Sequence, residues 1–202
     1  VDTGWQGTLQ YVLAIQKTSG NPDSIIELDS DNALESQVPR TNLKIANFTF
    51  VHKNAASGNQ AAMLIRGGAD ATLVNGVVTS QMPCLRLNGT NIIGAANSIP
   101  EKLGPPAFRS VAMQCGGATF VGTGGLTAQQ VADTFNAGTN NTSTFTASLT
   151  GGFVNGANET GRTAADPKAV DALFDTTTYI GAVKDANDTW YQGWTCNSTG
   201  RK

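Results

Sequence analysis

A long and a short strand-like segment alternate four times in the first 121 residues, and that recurrence constrains the fold more than any motif does. The long members are Gly7 to Ile15 (GTLQYVLAI), Leu43 to His52 (LKIANFTFVH), Ala71 to Ser80 (ATLVNGVVTS) and Ala107 to Cys115 (AFRSVAMQC). Each is followed by a shorter partner: Ile25 to Asp29, Ala62 to Arg66, Cys84 to Asn88 and Ala118 to Val121. The long members begin about 28 to 37 residues apart, a spacing that marks stacked-repeat architectures. One such unit cannot bury its apolar face alone, so successive units must stack.

Inside the second long segment, Leu43, Ile45, Phe48 and Phe50 interleave with Lys44, Asn47 and Thr49, and the alternation slips once near Ala46. A slip of this kind marks a bend or bulge. Ala46-Asn47-Phe48-Thr49-Phe50-Val51 aligns with Val74-Asn75-Gly76-Val77-Val78-Thr79, with Asn in the same place. Two readings of that Asn stay open: a ladder of side-chain amides along the stack, or simple tolerance of a left-handed corner. Either way, Asn47 and Asn75 sit at corners of a coil. Parallel strands joined by Gly and Asn corners predict an all-β chain, a right-handed parallel β-helix, the hand following the crossover rule.

The pattern changes at Gly122. Thr127 to Phe135 predicts a short helix with Thr127 as N-cap and Gln130 completing a capping box. A second helix is expected from Asp166 to Phe174, with Asp166 as cap and Pro167 at its first position. Thr178 to Val183 reads as a strand. The expected organisation is therefore β-helix coils over residues 1–121, then a cap of short helices and an extended arm over 122–202, one structural unit.

Only 14% of the residues are charged and 23 are glycine, which argues against a helical bundle and suits turn-rich β structure. A net charge of −2 and scattered Lys and Arg leave no footprint for nucleic acid. No apolar run has the length of a membrane span. Val1 in place of Met suggests a processed or excised product. Cys84 and Cys115 fall in neighbouring units, where a bridge between coils is one expectation and buried free thiols the other; Cys196 is unassigned.

Asp2-Thr3-Gly4-Trp5-Gln6-Gly7, followed by Leu9-Gln10-Tyr11-Val12, resembles a stretch of a family of bacterial secreted or surface-anchored right-handed β-helix proteins. Tyr179-Ile180-Gly181-Ala182-Val183, with Trp190 and Gly193-Trp194-Thr195, resembles that family's C-terminal signature, and Phe135-Asn136-Ala137-Gly138 adds to the match. The resemblance implies the fold and an extracellular or cell-surface location. It further implies several coils upstream of the Gly-Trp motif, and it transfers no catalytic residue.

Chemistry is sparser. Glu27, Asp29 and Asp31 alternate along one segment, and such acids on one side of a strand could ligate a hard cation; calcium is the only cofactor so suggested. The competing reading is a solvated corner of Asx turns. A polysaccharide lyase would need that cluster beside an Arg or Lys base, with Arg66, Arg86, Lys44 and Lys53 as candidates. A hydrolase would need two carboxylates roughly 5 to 10 Å apart. His52 has no Ser or Cys evident as a partner. Trp190, Tyr191 and Trp194 could stack on sugar rings, or anchor the terminus by burial. Seven Asn-x-Ser/Thr sites, at Asn47, Asn88, Asn140, Asn141, Asn158, Asn187 and Asn197, accompany a composition rich in Asn and Thr and are not read as glycosylated.

These observations predict a non-catalytic extracellular or cell-surface structural protein. Its uncovered first coil would meet a missing N-terminal half or another copy, a head-to-tail contact giving a filament. The alternatives are a polysaccharide-active enzyme of lyase type, or a glycan-binding module. The first requires Arg66 or Arg86 within reach of Asp29 or Asp31.

Overall fold

The computed structural model describes residues 1–18, 23–53 and 61–193. Long strands β1 (Gln6–Ile15), β3 (Asn42–His52), β5 (Asp70–Ser80) and β7 (Ala107–Cys115) stack in that order into one parallel sheet. Short strands β2 (Ile26–Asp29), β4 (Met63–Arg66), β6 (Leu85–Asn88) and β8 (Phe120–Thr123) stack into a second. The chain is a right-handed parallel β-helix of four coils, as the repeat predicts.

Each long strand turns a corner at one residue. Tyr11, Asn47, Asn75 and Ser110 have φ of 59°, 48°, 55° and 54°, and the register sets them one beneath another. Asn accepts this left-handed conformation readily; Tyr and Ser do so at more cost. After the corner, inward and outward side chains alternate again. Phe48 and Phe50 stack with ring centroids 4.6 Å apart, and the Phe48 ring lies over Gly76, where a Cβ would come within 2.0 Å of it. Leu28, Met63, Ile65, Leu85 and Leu87 from the short sheet complete one continuous core. Cys84 and Cys115 are joined by a disulfide, Cα atoms 5.5 Å apart, tying the third coil to the fourth.

Helix α1 (Ala128–Asn136) begins as expected: Thr127 Oγ1 accepts from the Gln130 backbone N–H, and Gln130 Oε1 accepts from the Thr127 N–H. It sends Val131 and Phe135 into the last coil, where Phe135 meets Phe108 and Phe120. The outer edge of β7 is also taken, by backbone bonds to Thr139, Thr142 and Phe145 and by the Asn141 side chain. That end of the stack is closed. At the other end the outer edge of β1 pairs with no strand among the described residues, and Trp5, Leu9 and Ile15 stay more than a third exposed. The outer edge of β2 is partly covered: Val1 N donates to Glu27 O, and Asp29 N donates to Val1 O.

The arm differs from expectation in three places. The segment from Asp166 forms only a 3-10 turn, Pro167–Ala169, because Val170 and Phe174 turn onto Ala46 and Val74 while Asp171 is drawn to Lys44 Nζ at 2.7 Å. A helical turn the sequence did not suggest, α2 (Ala157–Thr160), is bounded by Gly156 and Gly161 and held by buried Glu159, whose carboxylate accepts from Ser148 N, Ser148 Oγ and Gly156 N. Residues Thr178 to Val183 form no strand. Gly181, at φ 81°, breaks the extended run, and the backbone is met group by group. Asn47 Nδ2 donates to Tyr179 O, Gly181 N donates to Asn75 O, and Ala182 N donates to Thr49 Oγ1. The corner Asn residues therefore hold the arm and do not form a ladder with each other; Asn75 exchanges two bonds with Ala165.

Candidate functional site

Because the arm lies along the outward side of the long sheet, the outward side of the short sheet is the one broad strand surface left open. Alternation along strands of four residues puts Leu28, Ile65 and Leu87 inside and their neighbours outside. The register then aligns two outward rows: Glu27, Leu64, Arg86 and Val121, and beside it Asp29, Arg66, Asn88 and Thr123. Adjacent strands lie about 4.8 Å apart, so four charged groups occupy three rungs of one face.

Arg66 bridges the two acids of the first coil. Its Nη2 is 2.6 Å from Glu27 Oε1, and its Nε is 3.1 Å from Asp29 Oδ2 without the alignment of a hydrogen bond. Asn32 Nδ2 also donates to Asp29 Oδ2, while Asp29 Oδ1 is buried, over Gly67, and accepts nothing. Burial pushes the Asp29 carboxyl above its ordinary value, and the Arg66 charge opposes that rise. Arg86 Nε donates to Thr123 Oγ1, which in turn donates to Asn88 Oδ1, leaving the two terminal nitrogens of Arg86 uncommitted among the described residues. Arg86 and Arg66 are diagonal neighbours, roughly 8 Å apart by strand spacing.

The three acids expected to ligate calcium do not converge. Glu27 and Asp29 face Arg66, whereas Asp31 turns away to accept from Ala33 N and Leu34 N as an Asx turn. No group of three or more His, Cys, Asp or Glu is placed to hold a metal among the described residues. Arg66 is likewise a cation held by two carboxylates, not a base, since a guanidinium stays protonated. Lys44 is engaged with Asp171 on the arm side. Asp70, partner of buried Lys102 at 2.9 Å, is structural; burial draws the Lys102 ammonium down and Asp70 resists it.

Trp190 and Tyr191 act as anchors. Trp190 Nε1 donates to Ala182 O, Tyr191 meets Phe153 edge-on, and both pack on Val154, Ala182 and Val183. Trp194, Cys196 and Asn197 lie outside the described residues. His52, read from sequence as unpartnered, sits 2.9 Å from Ser80 Oγ, one rung below in register. The signal was available: the 28-residue offset that aligns Asn47 with Asn75 also aligns position 52 with 80. Both residues are buried, and Ser80 Oγ also accepts from Met82 N, so the pair holds a corner.

Two grooves lie elsewhere. One, of about 420 Å³, is lined by Thr142, Thr144, Phe145, Thr146, Asn158 and Arg162 among others. The second, of about 490 Å³, lies between the start of β7 and α1, with Pro105, Pro106, Arg109 and Asp133 on its walls. No described helix is long and apolar enough to cross a membrane. No curated protein and no solved structure matches the chain. Residues 1–195 match the model of a family described as a pectate-lyase like beta helix domain. With that match running through all four coils and the arm, the chain belongs to the pectate-lyase like β-helix family.

Proposed function

We propose that this chain is a polysaccharide-active β-helix protein that engages an acidic glycan along the outward face of its short sheet. The observation that carries the reading is the Glu27–Asp29–Arg66 cluster with Arg86 one strand away. A planar guanidinium with free N–H groups matches a sugar carboxylate in fork geometry. Burial raises the Asp29 carboxyl above its ordinary value, which makes its carboxylate a stronger base. In an elimination, Arg86 would hold the sugar carboxylate, Asp29 would accept the proton on the adjacent carbon, that C–H pair would form the C=C bond of an unsaturated end, and the glycosidic oxygen would leave with the C–O pair and take a proton from solvent water. A site of action outside the cell is part of this proposal and is what the resemblance to bacterial surface β-helix proteins implies.

The test is incubation with uronic-acid polymers, with and without calcium, following absorbance of the unsaturated product. Product formation that falls by about a hundredfold in Asp29→Asn would support the assignment, the usual size for a proton-transfer group. No product and no retention on the polymer would refute it.

The open edge of β1 favours a second reading, a structural protein that associates through its first coil. Its outer backbone groups and the exposed Trp5, Leu9 and Ile15 suit pairing with another strand. Because α1 and residues 139–145 close the last coil, a head-to-tail filament would have to displace them. Contact through the open end alone would stop at a pair. Light scattering across a concentration series tests this: a monomer throughout rejects it.

A further inference from the structure

The groove beside the arm has a chemistry of its own. One wall is the segment Thr142–Thr146, held against β7 by the bonds of Thr142 N to Val111 O and Phe145 N to Met113 O. The other is α2 with the residues after it, fixed from beneath by the buried Glu159 carboxylate. Thr142, Thr144 and Thr146 line the groove, and their hydroxyls carry no hydrogen bond among the described residues, so their donor and acceptor capacity is unspent. Asn158 spends its amide N–H on Thr146 O and keeps its Oδ1. Arg162 is the one charged side chain lining the space. It donates through Nη2 to Asn140 O and makes no ion pair among the described residues. Half-buried Phe145 lies between the hydroxyls and adds an apolar surface.

We propose that this groove is a second sugar-binding subsite, taking a carboxylate-bearing sugar with Arg162 on the carboxylate and the threonine hydroxyls with Asn158 on the ring hydroxyls. Hydroxyl groups in series, one amide and one uncompensated guanidinium match a polyhydroxylated anion. A purely apolar or cationic ligand would leave the guanidinium desolvated and unpaired. The second groove lacks this balance, since Asp133 shares its lining with Arg109 and prolines supply much of the surface. The proposal rests on the acidic-glycan reading but concerns binding on a different side of the molecule, so the two can fail separately.

Nuclear magnetic resonance titration with a galacturonic acid trisaccharide, and with its methyl ester as the uncharged control, tests it. The free acid is expected to shift the amides of Thr142 to Thr146 and Arg162, and the ester to bind at least about tenfold more weakly, the size of one charge-assisted contact. Arg162→Ala should produce a similar loss. Because Arg162 also holds Asn140 O, Thr144→Val and Thr146→Val serve as variants that leave that bond in place; each should weaken binding with an unchanged melting curve. Equal affinity for acid and ester, or wild-type affinity in both threonine variants, overturns the proposal. Shifts confined to Glu27, Arg66 and Arg86 also overturn it while leaving the short-sheet reading intact. Shifts in the groove with no effect of Asp29→Asn on polymer cleavage would do the reverse.

Discussion

The two sheets of this β-helix are built on one principle and put to opposite use. The long sheet is buried on both faces: Phe48, Phe50 and Leu73 point into the coil, while Ala46, Val74, Val77 and Ala112 point out and are covered by Phe174, Ile180 and their neighbours on the arm. The short sheet sends its apolar residues into the core, and its outward rows, where only Leu64 is buried, carry Glu27, Asp29, Arg66 and Arg86. A strand face sealed by its own chain has no surface to offer a ligand. The difference leaves the short sheet as the strand face with polar groups to offer a ligand and makes the long sheet a packing surface.

That contrast can be broken by substitution. The largest effect is expected at Phe174, 2% exposed on the sheet-facing side of the arm: Phe174→Ala should cost about 3–5 kcal/mol in urea unfolding, as a large cavity in a sealed face does. A cost below about 1 kcal/mol would mean the arm is a loose cover.

Asn47 separates two contributions at one residue. Asn47→Ala loses both the left-handed preference and the bonds to Thr177 and Tyr179, and should cost about 2–3 kcal/mol. Asn47→Gly keeps the corner and loses only the bonds, so it should fall between Ala and wild type. Equal losses in the two variants would show that the corner conformation contributes nothing.

His52 reads the same sheet by pH. Burial lowers its pKa below the ordinary 6.5, with the Asp23 carbonyl opposing, so the folded chain resists taking a proton that the unfolded chain accepts. Stability is therefore lost as pH falls from about 6.5 toward the lowered value and is fully present above it. Melting temperatures across pH 7.5 to 5 should fall more steeply for wild type than for His52→Gln; parallel curves would count against a buried neutral imidazole.

On the open face the expected stability effects are smallest. Arg66→Ala, which removes a two-carboxylate ion pair about a third exposed, should change stability by no more than about 1 kcal/mol. The same change should abolish retention on an acidic polysaccharide. Loss of both together would make Arg66 a structural residue.

How much of this the sequence disclosed depends on whether bonding partners were local. The coils were legible because alternation of period two repeats, and the corners because Asn is one of the few residues at ease there. Tyr11 and Ser110 occupy the same corner column and gave no sign of it, since neither residue type prefers that conformation. The capping box of α1 lies within four residues and was visible for that reason. The arm misled because its backbone is satisfied by groups far away in sequence, as when Gly181 N bonds the Asn75 backbone oxygen and Ala165 N bonds the Asn75 side chain. Glu27, Asp29 and Arg66 were each named as candidates, yet only the pairing of Asp29 with Arg66 across coils shows that the acids face an arginine.

The arm's path has a consequence for how the protein is made. It runs from the fourth coil at Thr142, through the third at Ala165, to the first, where Asp175 N donates to Gln10 Oε1 and its carboxylate accepts from Tyr11, and then turns back to the second at Tyr179. A stack of coils coupled only to neighbours could form one rung at a time behind the ribosome. Here the first coil exists long before the residue 165 positions later that clasps it has been synthesised. Nascent coils must wait, with Leu13 and Ala46 still in water, until the last fifth of the chain emerges and covers the first three.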